Sequence, residues 1–278
     1  MRPFIAALTI AISTASMAMA DFITVASTTS TQNSGLYDQI LPQFTAQTGI
    51  EVRVVAVGTG QAIRIAQNGD ADVLLVHHRA SEDAFVAEGY AKQRFDVMYN
   101  DFIIVGPKTD FAPSSLDELL NHFVKTGDQT FISRGDDSGT HKRERELWAK
   151  YAESMPAGDW YREIGSGMGA TLNMASAING FTLTDRGTWL SFGNKGDLGI
   201  IWQQDKDLRN PYGVMVVDSD RFPHVKSDLA IQFAQWLISD TGQTAIGDVR
   251  VAGKQLFCPN ANQQSEQEQT PDDACPAQ

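Results

Sequence analysis

The sequence predicts an α/β protein of two lobes joined by a two-strand hinge. Three observations predict it. Short apolar runs alternate with runs of helical period from Phe22 onward. Two of the apolar runs end in hydroxyl-rich segments, each followed by a helical pattern. The chain also crosses between two such α/β groups twice, near residues 100–107 and again near 211–217.

The elements follow in order. Residues 22–25, 52–57, 73–76 and 102–105 read as strands, and 36–47, 61–67 and 81–88 as helices. This alternation implies βαβ units and a mostly parallel sheet. Pro42 within the first helical pattern is expected to kink it, because proline lacks an N–H and clashes with the preceding turn. A second group holds a strand at 131–132 and helices at 141–151 and 169–178. Short extended pieces follow at 181–184 and 198–201, then a strand at 212–217 and a terminal helical region at 222–239. The expected lobes are 21–104 with 215–257, and 105–214. A hinge of this kind lets one lobe close on the other around a ligand.

Residues 1–20 are expected to be a cleaved signal peptide, with Arg2, an apolar stretch from Phe4 to Ile12 and the small-x-small pattern Ala18-Met19-Ala20. Export to a periplasm follows, without direct membrane insertion. The formal net charge of −12 becomes −13 once Arg2 is removed, which argues against nucleic acid and anionic membrane surfaces as partners. Cys258 and Cys275 are the only cysteines. In an exported chain they are expected to form one disulfide closing a polar tail, 258–278, the alternative being two unlinked thiols. No cofactor and no metal site are expected. A zinc ligand set is incomplete around the cysteines, and His77 and His78, adjacent at a strand end, point opposite ways.

The most informative stretch is Ser133-Arg134-Gly135-Asp136-Asp137-Ser138-Gly139-Thr140. It follows an apolar run and opens a helix, so it aims a guanidinium, hydroxyls and unpaired backbone N–H groups at one place. Thr28, Thr29 and Ser30 repeat the design after the first strand, and Thr59 with Gly60 offers a further turn. Two such loops facing each other would wrap a small oxyanion. A tetrahedral dianion carries no proton, so every group facing it should donate, and Arg134 supplies a fixed charge in a planar fork.

In this order the motifs resemble the tungstate-binding proteins of ABC importers: residues 27–31, 57–62, 69–74, 100–107, 133–140, 167–172 and 183–188. The resemblance implies a type II periplasmic binding protein fold, a bound oxyanion between the lobes, and an ABC permease and ATPase as partners. It implies a monomeric receptor, not an enzyme, that captures tungstate, with molybdate as a second candidate. The ligand set it implies is Thr28, Thr29, Ser30, Thr59, Gly60, Ser133, Arg134, Ser138, Gly139 and Thr140, joined by Met168 and Thr171. The chain departs from the family's pattern at Ser27, where Thr is common, and at Ala177, where an acidic residue is frequent; both departures are expected to bear on selectivity.

Two rivals stay open. Arg134-x-Asp136-x-Ser138-Gly139-Thr140 also resembles the loop of phosphate-binding proteins, where an inward Asp would accept the proton of hydrogen phosphate. Ser138 and His141, three apart at a helix start, would suit a periplasmic phosphoester hydrolase if the hydroxyl met the imidazole.

Overall fold

In the computed structural model, residues 21–261 are described. The expected signal segment, Cys275 and most of the expected tail lie outside the described residues.

The chain begins with β1 (Phe22–Thr28), α1 (Thr29–Asn33), α2 (Leu36–Thr48), β2 (Glu51–Val57), α3 (Thr59–Gln67), β3 (Val73–Val76), α4 (Arg79–Ala87) and the long β4 (Phe95–Pro107). It continues through α5 (Leu116–Thr126), β5 (Phe131–Ser133), α6 (Gly139–Tyr151), β6 (Tyr161–Glu163), α7 (Met168–Ile178), β7 (Thr182–Asp185), α8 (Arg186–Ser191) and β8 (Leu198–Trp202). A 3-10 turn, Lys206–Leu208, leads into β9 (Arg209–Val216), α9 (Ser227–Ile238), α10 (Asp240–Gly247), β10 (Arg250–Val251), β11 (Lys254–Gln255) and β12 (Cys258–Pro259).

The main sheet runs β12-β4-β9-β3-β1-β2, with β7 and β8 also paired to β4. β1 pairs in parallel with β2 and β3, as βαβ connections require. The expectation of a mostly parallel sheet fails elsewhere. β9 is antiparallel to β3 and β4, and β7, β8 and β12 are antiparallel to β4. The reason is the crossing itself, since β4 leaves the first sheet and β9 returns to it in the opposite direction.

β4 is shared. Its first half, Phe95 to Asp101, pairs with β9, and its second half, from Phe102, pairs with β7 and β8. Its apolar residues alternate in partners: Phe102 and Ile104 join one core cluster, Ile103 and Val105 another. In the first sheet Val25, Val73 and Val214 face one cluster and Ala26, Leu74 and Met215 the other. Each sheet is thus buried on both faces, which explains the unbroken apolar runs in its strands.

The return crossing comes earlier than expected. Arg209 to Val214 pair with β4 and therefore belong to the first sheet, while Leu208 still packs in the second core. α8 straddles the two groups, with Leu190 against the first core and Trp189 in the second. Its first residue, Arg186, forks onto Asp101 at the point where β4 changes sheets (Nε–Oδ1 and Nη2–Oδ2, both 2.6 Å).

α2 runs through Pro42 without a break in its helical assignment. α5 lies where the sequence analysis assigns no element. Leu116, Leu119, Leu120 and Phe123 are buried at helical spacing, and Ser115 caps the start by accepting from Glu118 N–H at 3.3 Å.

Candidate functional site

Three helix starts converge between the two sheets. Thr28 is the N-cap of α1 and its hydroxyl accepts from Thr31 N–H at 3.3 Å. Gly58 precedes α3 with no side-chain cap. Ser138 caps α6 by accepting from His141 N–H at 3.3 Å. A helix start presents unpaired N–H groups and a partial positive charge. Thr28, Thr29, Ser30, Val57, Gly58, Thr59, His77, Arg134, Ser138, Gly139 and Thr140 line one cleft. No Asp or Glu is among them.

Arg134 reaches this place because β5 pairs in parallel with β6. The loop after β6 then holds its backbone, with Ser166 N–H donating to Arg134 O at 3.0 Å. Gly135 turns the chain at φ +60, and a Cβ there would sit 2.8 Å from Glu163 Cβ, so the turn needs glycine. Asp136 Oδ2 accepts from Arg134 Nε at 3.1 Å and Nη2 at 2.5 Å, and Asp136 Oδ1 accepts from Ser138 N–H at 3.2 Å. Asp136 therefore orients the guanidinium from outside the cleft lining. Burial opposes its ionisation, but the bonds from Ser138 and Arg134 outweigh burial and hold its carboxyl below the ordinary value. Nη1 of Arg134 keeps no protein partner among the described residues, so it is available to an oxyanion.

The hydroxyls form a small network. Thr28 Oγ1 lies 3.1 Å from Ser30 Oγ and 2.7 Å from Thr31 Oγ1. Both Thr28 Oγ1 and Ser30 Oγ lie 3.1 Å from His77 Nε2. His77 Nδ1 lies 2.9 Å from Asn210 Oδ1, while Asn210 Nδ2 donates to Asn100 Oδ1 at 2.7 Å. Asn210 thus presents an acceptor, which places the ring proton on Nδ1 and leaves Nε2 as an acceptor. Burial, above all, pushes the imidazole down to about 4.

Sequence reasoning missed His77. The signal available was its place just past β3, beside β1 in the parallel part of the sheet, because ligands gather at the carboxyl ends of such strands. His78 turns elsewhere, to Ser81 Oγ at 2.7 Å and Glu146 Oε1 at 3.1 Å. No group of His, Cys, Asp and Glu among the described residues is placed to hold a metal.

Four expected ligands lie off the cleft lining. Ser133 is wholly buried at the end of β5. Met168 packs in the core under α7, and Thr171 gives its hydroxyl to Gly167 O at 3.1 Å. Gly60 sits beside the cleft, its Cβ position 3.4 Å from Asp137 Oδ2. The two departures from the family pattern also fall elsewhere. Ser27 Oγ donates to Leu75 O at 2.7 Å and meets Tyr37 OH at 2.5 Å in the core. Ala177 is exposed on α7.

The hydrolase geometry is not formed. Ser138 Oγ bonds the backbone of His141, while the ring Nδ1 accepts from Asp137 N–H at 3.1 Å and Nε2 lies 3.3 Å from Glu163 Oε1. The His141 imidazole therefore does not act as a base on the Ser138 hydroxyl.

A two-lobed α/β fold with a donor-lined cleft defines a solute-binding protein. Residues 13–241 match the PBP superfamily domain. The chain is 49% identical over 250 residues to the tungstate-binding protein TupA of Peptoclostridium acidaminophilum, covering 86% of each chain. Among solved structures it resembles the tungstate-binding protein TupA of Desulfovibrio alaskensis G20, with 43% identity, 87% of this chain and 100% of that one covered, and a TM-score of 0.78. It also resembles the tungstate ABC transporter structure from Geobacter sulfurreducens, with 46% identity, 82% and 98% coverage and a TM-score of 0.74. The chain belongs to the PBP superfamily and, within it, to the TupA family.

Proposed function

We propose that the protein captures tungstate outside the cytoplasm and delivers it to an ABC permease driven by an ATPase subunit. It is a binding protein and not an enzyme, as are the TupA relatives it matches over most of its length. One observation carries the choice of ligand class. The cleft is lined by hydroxyls, helix-start N–H groups and the Arg134 guanidinium, with no carboxylate. A fully deprotonated dianion finds only donors there, apart from His77 Nε2, which the Thr28 and Ser30 hydroxyls already engage.

Hydrogen phosphate would need an acceptor for its proton. Asp136 is spent on Arg134 and the Ser138 N–H, so the rival lacks its required partner. Hydrogen bonds to a charged group are worth about 1.5–3 kcal/mol each. Roughly seven would exceed the desolvation cost by enough for nanomolar binding, near −12 kcal/mol.

Capture works by closure. Thr28 to Ser30 and Thr59 come from the first sheet, Arg134 and Ser138 to Thr140 from the second, so an anion touching both biases the protein toward its closed form. The closed form is what the permease reads. The receptor acts as a monomer in the periplasm, released from its leader peptide. Isothermal titration with tungstate, molybdate, sulfate and phosphate tests this reading. Tungstate should bind orders of magnitude more tightly than sulfate or phosphate, and equal affinity for phosphate would overturn it.

A further inference from the structure

His77 is buried in the cleft lining, yet the capture scheme above gives it no task. Its surroundings define one. Arg134 is the single fixed positive charge in the lining, whereas the expected ligand is a dianion. The whole chain carries −12, so the second positive charge has to be local. We propose that His77 takes up a proton when the oxyanion binds, so that the cleft meets a dianion with two cations, the guanidinium and an imidazolium. The inference rests on the oxyanion reading given above.

The hydrogen-bond pattern says what the proton would do. In the neutral ring, Nδ1–H donates to Asn210 Oδ1 and the Nε2 lone pair accepts from the hydroxyl of Thr28 or Ser30. That hydroxyl proton is then turned toward the ring and away from a ligand. In the imidazolium Nε2–H donates to the same oxygens, and both hydroxyl protons are free to rotate onto the anion. The proton comes from solvent and ends on Nε2; no other bond is made or broken. Asn210 continues to accept from Nδ1 in both states.

The groups facing the ring fit this sequence. Tyr212, from β9, stacks on it at 4.8 Å, and Gly139, from α6, approaches so closely that a Cβ there would lie 3.3 Å from His77 Cε1. The charged or titratable neighbours acting on it are His78 on its own turn and Arg134 from the β5–α6 loop, and both disfavour the imidazolium. Burial disfavours it most and sets the free protein's imidazole at about 4. No carboxylate bonds the ring among the described residues. An oxyanion within reach of Thr28 and Ser30 brings two negative charges next to Nε2, and these oppose every one of those influences. The bound value then lies above the free one, so the gain in affinity is full below about 4 and is lost as pH rises through the bound value.

The test is calorimetric titration of the full exported protein with sodium tungstate near about pH 6.5, in several buffers of different ionisation enthalpy. The binding enthalpy of the wild type should vary with the buffer to give uptake of about one proton per tungstate, with affinity rising up to about tenfold per unit fall in pH. In His77→Gln the uptake should vanish. Buffer-independent enthalpy in the wild type, or equal uptake in the variant, overturns the proposal. Should the variant not fold, nitrogen-resolved NMR of the wild-type histidine rings decides: Nδ1 and Nε2 of His77 both protonated in the tungstate complex upholds the proposal, and a neutral ring of either tautomer overturns it. Failure of tungstate, molybdate and phosphate all to bind would defeat the oxyanion reading and this proposal together, whereas tight binding without a proton defeats this proposal alone.

Discussion

Gly139 N–H donates to Thr59 Oγ1 at 3.1 Å, and the bond joins the start of α6 to the start of α3 across the cleft. One partner belongs to each sheet, so the bond exists only when the lobes are together. A Cβ on residue 139 would stand 3.0 Å from that oxygen. Glycine is therefore needed for close approach and not for an unusual backbone angle. Gly139→Ala should weaken tungstate binding, and Thr59→Val should do so by roughly 1–2 kcal/mol, about tenfold, because a buried N–H loses its acceptor. Titration calorimetry checks both; wild-type affinity in Thr59→Val would remove this bond from the closing mechanism.

Arg134→Ala should weaken oxyanion binding by at least about tenfold, since a fixed charge and its hydrogen bonds leave a buried site. The same change frees Asp136, whose carboxylate then faces the cleft loop without its counter-ion, so the loss should exceed that of a single hydroxyl. An unchanged dissociation constant would remove Arg134 from the site.

Glu144 lies inside α6, one face behind the cleft loop. Its Oε1 accepts from Tyr161 OH at 2.7 Å and Trp148 Nε1 at 3.3 Å. Burial outweighs these bonds and pushes the carboxyl up to about 7. A raised carboxyl favours the folded state while protonated, so its contribution is full below about 4.5 and is lost as pH rises through about 7. His77 acts oppositely, its contribution growing from about 4 to about 6.5. Above about pH 6.5 the His77 contribution is complete, while that of Glu144 is still being lost. Stability of the ligand-free protein should fall from there toward pH 8, and Glu144→Gln should raise it at pH 8 by on the order of 1–3 kcal/mol. Denaturant titrations at several pH values give the answer; a flat wild-type profile would rule this out.

Cys258 is buried in β12, paired against Tyr99 of β4. A bridge to Cys275 would tie the tail to the edge of the main sheet and contribute roughly 3 kcal/mol by loop closure. Intact mass of exported protein should be two hydrogens below the reduced form, shifting only after reduction. Two alkylatable thiols in the unreduced protein would exclude the bridge.

The hydroxyl blocks and Arg134 were legible because each carries its own explanation: a strand, then a run of donors, then a helix. The alternation of elements was equally plain. The direction of the strands was not, because nothing local in residues 95–107 or 209–216 tells a strand that it will serve as a crossing. α5 was legible in principle from Leu116, Leu119, Leu120 and Phe123, with Ser115 ahead of them. His77 was obscured by His78, since a pair of histidines invites a metal question and hides a ring that belongs to a hydroxyl network. At Met168 and Thr171 the sequence shows only a helix start; it does not reveal that Met168 packs in the core and that the Thr171 hydroxyl turns back to Gly167 O.

The forked ion pair between Arg186 and Asp101 sits where β4 passes from one sheet to the next, with Gln203 Oε1 also accepting from Arg186 Nη2 at 3.1 Å. A rigid rotation displaces matter least at its pivot and most at its rim. Asp101 thus marks a fulcrum whose stiffness governs how readily the jaws swing, although neither it nor Arg186 belongs to the cleft lining. Substitutions at this pin should retune how long cargo is held while leaving its recognition intact.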